Sequence, residues 1–141
     1  MARWIPAGVH DVYVVALQEI KMRSGDEWTR ALEQHLGCHA RRSADRYKAV
    51  GVQTMWGIHV VVICRLALVG RLSNIQTDLC KQGKSKNVGL GGNKGAVACS
   101  FTVDGATRVC FVNTHLVARC ERLHKPVCFA LRFFRGTYDF F

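Results

Sequence analysis

Acidic residues are scarce in this chain: 141 residues carry 10 Asp and Glu against 20 Lys and Arg, a formal charge of +10. Such an imbalance favours polyanionic partners, whether phosphoesters, nucleic acid or anionic lipid headgroups, although a basic surface kept only for solubility fits the charge as well. Long apolar runs are also missing. The longest, Val12 to Leu17, falls far short of the roughly 20 residues that a membrane-spanning helix needs. The opening Met1-Ala2-Arg3-Trp4-Ile5-Pro6 has no continuous apolar core, so neither a signal peptide nor a membrane anchor is expected. No polar low-complexity tract suggests disorder, no internal repeat occurs, and the length leaves no room for two full domains. The seven cysteines form an odd set without CxxC spacing. That pattern excludes an obvious disulfide framework or zinc site and suits reduced, buried thiols in a cytosolic protein.

What is present reads as alternating strands with one helix. Val12 to Leu17 is a β-branched run apolar on both faces, as in a strand buried between layers, and Gln18-Glu19 follows at its exit. Ser24 to Leu36 has acidic residues in its first turn, Trp28, Leu32 and Leu36 on one face and Gly37 at its end. This predicts a helix with Trp28 in the core. His35 and His39 are expected on the surface. Tyr47–Val52 and Gly57–Cys64 predict adjacent strands joined by Gln53-Thr54-Met55-Trp56, with His59 as a satisfied core or edge residue and not a ligand. Leu66 to Leu79 is less periodic and reads as an extended edge segment. Lys81, Lys84 and Lys86 lie in a basic loop that leads to Gly91-Gly92-Asn93-Lys94-Gly95-Ala96-Val97. Val97–Val103 and Thr107–Val112 then flank Asp104-Gly105, predicting a hairpin. Beyond Val117, Pro126 interrupts any helix and the phenylalanines of the tail have no period.

Three polar clusters sit at strand exits or in the glycine-rich turn: Gln18-Glu19, Asn93-Lys94, and Asn113 with His115. If their strands are neighbours, all three meet at one rim. Mg²⁺ needs only one or two carboxylates plus waters and phosphate oxygens, which Glu19 could supply. Lys94 is suited to meet a phosphate as a point charge, and His115 to donate to a phosphoryl oxygen as charge builds on it. Each cluster also has a plainer reading, as a solvated loop charge, a hairpin turn or a strand-end polar residue. The glycine-rich turn lacks the GKS or GKT ending of a P-loop.

Taken in order, Gln18-Glu19, Gly91-Gly92-Asn93-Lys94-Gly95-Ala96-Val97 and Phe111-Val112-Asn113-Thr114-His115-Leu116 resemble the inositol polyphosphate 5-phosphatase catalytic domain of the endonuclease/exonuclease/phosphatase superfamily. The resemblance runs from about Asp11 to Leu123. It implies an α/β fold, roughly the first half of a four-layer α/β sandwich, with residues 1–123 as a partial catalytic domain and 124–141 as a divergent Phe-rich tail. It further implies that Glu19 is the Mg²⁺ ligand with Gln18 supporting it, that Asn93 and Lys94 face substrate phosphates, and that His115 contacts the scissile phosphate with Asn113 nearby. The reaction implied is Mg²⁺-dependent hydrolysis of the 5-phosphate of a phosphoinositide or soluble inositol phosphate, by a cytoplasmic protein that can touch membranes peripherally.

The family's Gly-Asp-Leu-Asn-Tyr-Arg and Ser-Asp-His-Arg-Pro motifs, which supply the water-activating aspartate and a second histidine, do not occur in these residues. The expectation is therefore an incomplete catalytic set and a chain inactive by itself. Non-catalytic binding of anionic lipid or inositol phosphate through Lys81, Lys84, Lys86 and Lys94 is the alternative. A related nuclease or phosphodiesterase is disfavoured by Asn93-Lys94-Gly95 and by a basic loop without interleaved aromatics.

Overall fold

The computed structural model describes residues 4–21, 25–81 and 94–116. Asn93, Lys84, Lys86, most of the glycine-rich turn and the Phe-rich tail, all singled out from sequence, lie outside these residues. Six strands and one helix follow in the order β1 (Val12–Leu17), α1 (Gly25–Leu36), β2 (Tyr47–Met55), β3 (Ile58–Arg65), β4 (Leu72–Lys81), β5 (Gly95–Val103) and β6 (Thr107–His115). They form two three-stranded antiparallel sheets, ordered β1-β3-β2 and β4-β5-β6.

The centre of the first sheet is β3, whose residues from Ile58 to Cys64 are all buried. A strand covered on both faces must be apolar on both, and the alternation of side chains sends its residues to two different cores. Val61 and Ile63 pack with Tyr13, Val15, Tyr47, Leu32 and Leu36 beneath α1. Ile58, Val60 and Val62 pack with Val97, Cys99 and Phe101 of the second sheet. Helix, sheet and sheet therefore stack as three layers among the described residues. Full burial of a residue such as Leu32 or Leu36 contributes about 2 kcal/mol each. Trp28, expected in the core, is half-buried, because the first turn of α1 meets the sheet through Gly25 and Thr29 instead.

The β5–β6 hairpin forms as predicted, and Asp104 and Gly105 take φ of 52° and 68° in its turn, where the Ala106 N–H donates to Val103 O. The edge segment expected over 66–79 divides in two. Leu66–Arg71 winds into a short 3₁₀-helix that carries the chain from the first sheet to the second, and only then does β4 run as an exposed edge strand. His59 is fully buried between Thr54 Oγ1 at 2.7 Å and Thr29 Oγ1 at 3.3 Å, the core placement of the two that were expected. His39 is exposed, whereas His35 is half-buried and donates from Nε2 to Ile5 O at 2.7 Å.

Of the cysteines in the described residues, Cys64 and Cys99 are buried, Cys80 and Cys110 half-buried and Cys38 exposed. Burial pushes the Cys99 thiol up to about 11, so it stays protonated and unreactive. No helix among the described residues is long and apolar enough to cross a membrane.

Candidate active site

The register of the ladders sets where the polar residues go. Leu17 faces His59 at the end of the β1–β3 ladder, and Gly95 faces His115 at the end of β5–β6. These ends lie together, so the exits of β1 and β6 and the entry to β5 form one rim. Gln18, Glu19, Lys94, Asn113 and His115, nominated from three separate stretches, meet there.

Asn113 faces inward on β6 opposite Val97 and is 6% exposed. A polar group buried that deeply must find partners. Its Nδ2 donates to Leu17 O at 2.8 Å and to His59 O at 3.0 Å, tying the second sheet to the last rung of the first. Gln18, just past β1, turns back over this point: its Nε2 donates to Asn113 Oδ1 at 3.2 Å and to Thr114 O at 2.7 Å. Its Oε1 lies 2.9 Å from His115 Nδ1. The other ring nitrogen, Nε2, is in contact with Lys94 Nζ and stands 3.7 Å from Glu19 Oε1.

Two local features aim the charged groups. Glu19 has φ of 57°, a left-handed conformation that costs a non-glycine residue about 1–3 kcal/mol and persists only where its surroundings impose it. Here the Ile20 N–H donates to Gly57 O at 3.2 Å, and a Cβ at position 57 would lie 3.0 Å from Ile20 O. The turn Trp56-Gly57 thus packs closely under Glu19 where a side chain at position 57 would press on Ile20 O, and the Glu19 carboxylate is left 80% exposed. Lys94 is placed by the residue after it. Gly95 has φ of 148°, and a Cβ there would come within 2.0 Å of Cys80 O, so β5 can begin at this point beside β4 only with glycine.

A carboxylate, an ammonium and an imidazole thus share one rim, with His115 only 15% exposed between the other two. Among the described residues no group of three or more His, Cys, Asp or Glu could enclose a metal ion. A single outward carboxylate suits a hydrated hard cation such as Mg²⁺, which keeps several waters and accepts phosphate oxygens as further ligands. Reasoning from the sequence missed the main-chain carbonyls of Leu17, His59 and Thr114 and the role of Gly57. The connection expected over Gln53-Thr54-Met55-Trp56 is shorter, because β2 runs on to Met55 and leaves Trp56-Gly57 as the turn, and nothing in the sequence signals which carbonyl an amide 54 or 96 residues away will choose.

The family model described as Endonuclease/Exonuclease/phosphatase family 2 matches residues 4–126. The chain is 36% identical over 121 residues to human phosphatidylinositol 3,4,5-trisphosphate 5-phosphatase 1, an alignment covering 86% of this chain and 9% of that protein. It is 36% identical over 126 residues to phosphatidylinositol 3,4,5-trisphosphate 5-phosphatase 2A of Danio rerio, covering 89% of this chain and 9% of the relative. The chain therefore spans about 9% of the length of these relatives. Among solved structures, the inositol polyphosphate 5-phosphatase domain of SpSynaptojanin, in complex with inositol (1,4)-bisphosphate and calcium ion, superposes with a TM-score of 0.67 at 23% identity. That match covers 84% of this chain and 34% of the other, and it identifies the same fold.

Proposed function

This chain belongs to the Endonuclease/Exonuclease/phosphatase family 2, and from that premise we propose that its rim is the metal-anchoring and phosphate-recognising part of an inositol polyphosphate 5-phosphatase site. The substrate class is a phosphoinositide or soluble inositol phosphate, and the reaction is hydrolysis of its 5-phosphate. The observation that carries this reading is the meeting of Glu19, Lys94 and His115, from three distant stretches, at one end of the two sheets.

Glu19 is the residue that would hold Mg²⁺, and bound Mg²⁺ supplies neutralisation of phosphoryl charge as a Lewis acid. Lys94 meets a substrate phosphate as a point charge, together with Asn93, which lies outside the described residues. His115 donates a hydrogen bond to a phosphoryl oxygen as negative charge develops on it. Among the described residues of the rim no second carboxylate stands ready to take a proton from water, so binding is the part of the reaction that these residues can perform.

Two measurements test this reading. Mn²⁺ added in place of Mg²⁺ is expected to broaden the NMR signals of Glu19, Ile20 and Gly57, and Glu19→Gln to remove the effect; unbroadened signals would remove Glu19 as the metal anchor. The purified chain with Mg²⁺ is expected to release no phosphate from an inositol trisphosphate bearing the 5-phosphate. Turnover at the rate of a complete phosphatase would show that the set of residues is sufficient.

The +10 charge favours a second reading, non-catalytic binding of anionic lipid. It predicts salt-sensitive binding to phosphoinositide vesicles that survives Glu19→Gln and needs no divalent cation.

A further inference from the structure

The amides and imidazole at the rim form a chain whose polarity has one self-consistent direction. Both hydrogens of Asn113 Nδ2 meet backbone carbonyls, Leu17 O at 2.8 Å and His59 O at 3.0 Å, and a carbonyl oxygen can only accept. The atom facing Gln18 is therefore Asn113 Oδ1. Gln18 must present Nε2 to it, at 3.2 Å, and the second hydrogen of Nε2 goes to a third backbone carbonyl, Thr114 O, at 2.7 Å. Gln18 Oε1 is left 2.9 Å from His115 Nδ1, and an acceptor in that place requires an N–H. Turning over either amide would set its oxygen against two other oxygens.

We propose that Asn113 and Gln18 are positioning residues that lock neutral His115 as the Nδ1-protonated tautomer, so that Nε2 presents its lone pair to the rim. Which ring nitrogen of a histidine carries the proton is set by the hydrogen bond that the other nitrogen makes. Here that bond traces back to three main-chain carbonyls, two of them on facing residues of the β1–β3 ladder. The tautomer is thus written into the backbone of the first sheet and relayed across to the second. On the rim side the lone pair of Nε2 accepts from the Lys94 ammonium, which accounts for a cation resting against an imidazole while Glu19 lies close by. Both amide hydrogens of Asn113 are spent on the scaffold, so its side chain serves His115 through Gln18 and donates nothing to a phosphate.

This assignment uses the phosphatase reading only for what finally occupies the rim. When a phosphoryl oxygen does so, the Gln18 oxygen keeps the Nδ1 hydrogen engaged, and Nε2, the single ring position directed at the ligand, donates to it only once it has itself taken up a proton, as the imidazolium.

The test is the ring-nitrogen NMR spectrum of the intact chain labelled with ¹⁵N-histidine, recorded without metal or phosphate at about pH 8, where histidine is ordinarily neutral. His115 is identified by the signals lost in His115→Ala. Its Nε2 is expected to be the unprotonated nitrogen. In Gln18→Met, with His59 signals unchanged as the check on folding, the Nε2-protonated form that an unconstrained histidine favours should become the main species. Asn113→Ala should give a measurable Nε2-protonated fraction. A protonated Nε2 in the unmodified chain overturns the proposal whatever the variants do, and so does an unchanged tautomer in Gln18→Met. Because no substrate is present, the result stands or falls apart from phosphatase activity.

Discussion

At the end of the sandwich away from the rim, opposite charges are paired and aromatic hydroxyls are spent on the main chain. Arg65 lies 3.2 Å from Asp11 and over the Tyr47 ring, 5.3 Å from its centroid. Tyr47 and Tyr13 donate to His10 O and Pro6 O, each at 2.6 Å, and Arg71 grips Asp104 with two hydrogen bonds of 2.7 and 2.5 Å. At the rim the scaffold is instead made of neutral amides bonded to carbonyls. There Glu19 and Lys94 both reach His115, and no ion pair among the described residues joins the two to each other. The contrast teaches how the same basic chain divides its charge: paired at the far end, and held apart at the rim proposed to receive a phosphate and a cation. Neutral amides suit the second task because they fix geometry without cancelling the charges beside them.

The contrast can be broken or sharpened in several places. Asn113→Leu should have the largest effect, since it strands Leu17 O, His59 O and one Gln18 hydrogen in a buried place; the expected loss is about 3 kcal/mol or more in denaturant unfolding. A loss under about 1 kcal/mol would mean that the amides do not hold this end together. Glu19→Gly acts in the opposite sense. It relieves the left-handed backbone and is expected to raise stability by about 1 kcal/mol while removing the proposed metal anchor, so that stability and binding separate in a thermal melt and a metal titration.

His59 gives a smaller, pH-dependent effect. Burial holds its pKa below the ordinary 6.5, although Asp26 opposes this, so the unfolded chain binds the proton more readily than the folded one. Its contribution is complete above 6.5 and is lost as pH falls toward the depressed folded value. The urea midpoint should therefore drop between about pH 7.5 and 5.5, and His59→Gln should flatten that slope. The smallest effect is expected at the far end. Arg71 and Asp104 are exposed, and although their pairing holds the Asp104 carboxyl below its usual range, Arg71→Ala should barely move the thermal midpoint, with any shift vanishing in high salt.

Much of the fold was legible because it rests on local signals. Asp104-Gly105 between two alternating runs is turn chemistry that needs no tertiary context, and β3 announces its burial by being apolar at every position. The residue types of the site each have a plain structural reading when taken singly, and it was their order along the chain, resembling that of the family, that singled them out. Their connection was not legible. Gln18 finds Thr114 O 96 residues away, and only the register of two ladders brings them together. The 3₁₀-helix over Leu66–Arg71 and the half-burial of Trp28 escaped for the same cause, since both are decided by how one sheet passes the chain to the next and by what α1 rests on. The positive φ of Glu19 has no sequence mark at all, and the close contact of Ile20 with Gly57 beside it joins residues distant in the chain.

The most direct test of the rim as a phosphate-recognition site is a calorimetric titration of the intact chain, in Mg²⁺, with an inositol trisphosphate that carries the 5-phosphate, comparing Lys94→Ala with Arg71→Ala. Both changes remove one positive charge, one at each end of the sandwich. The account predicts that Lys94→Ala weakens binding by about tenfold or more, equivalent to about 1.4 kcal/mol, while Arg71→Ala leaves it unchanged. Equal weakening by the two would contradict it, and would assign the affinity to diffuse basic charge instead of the residues gathered at the rim.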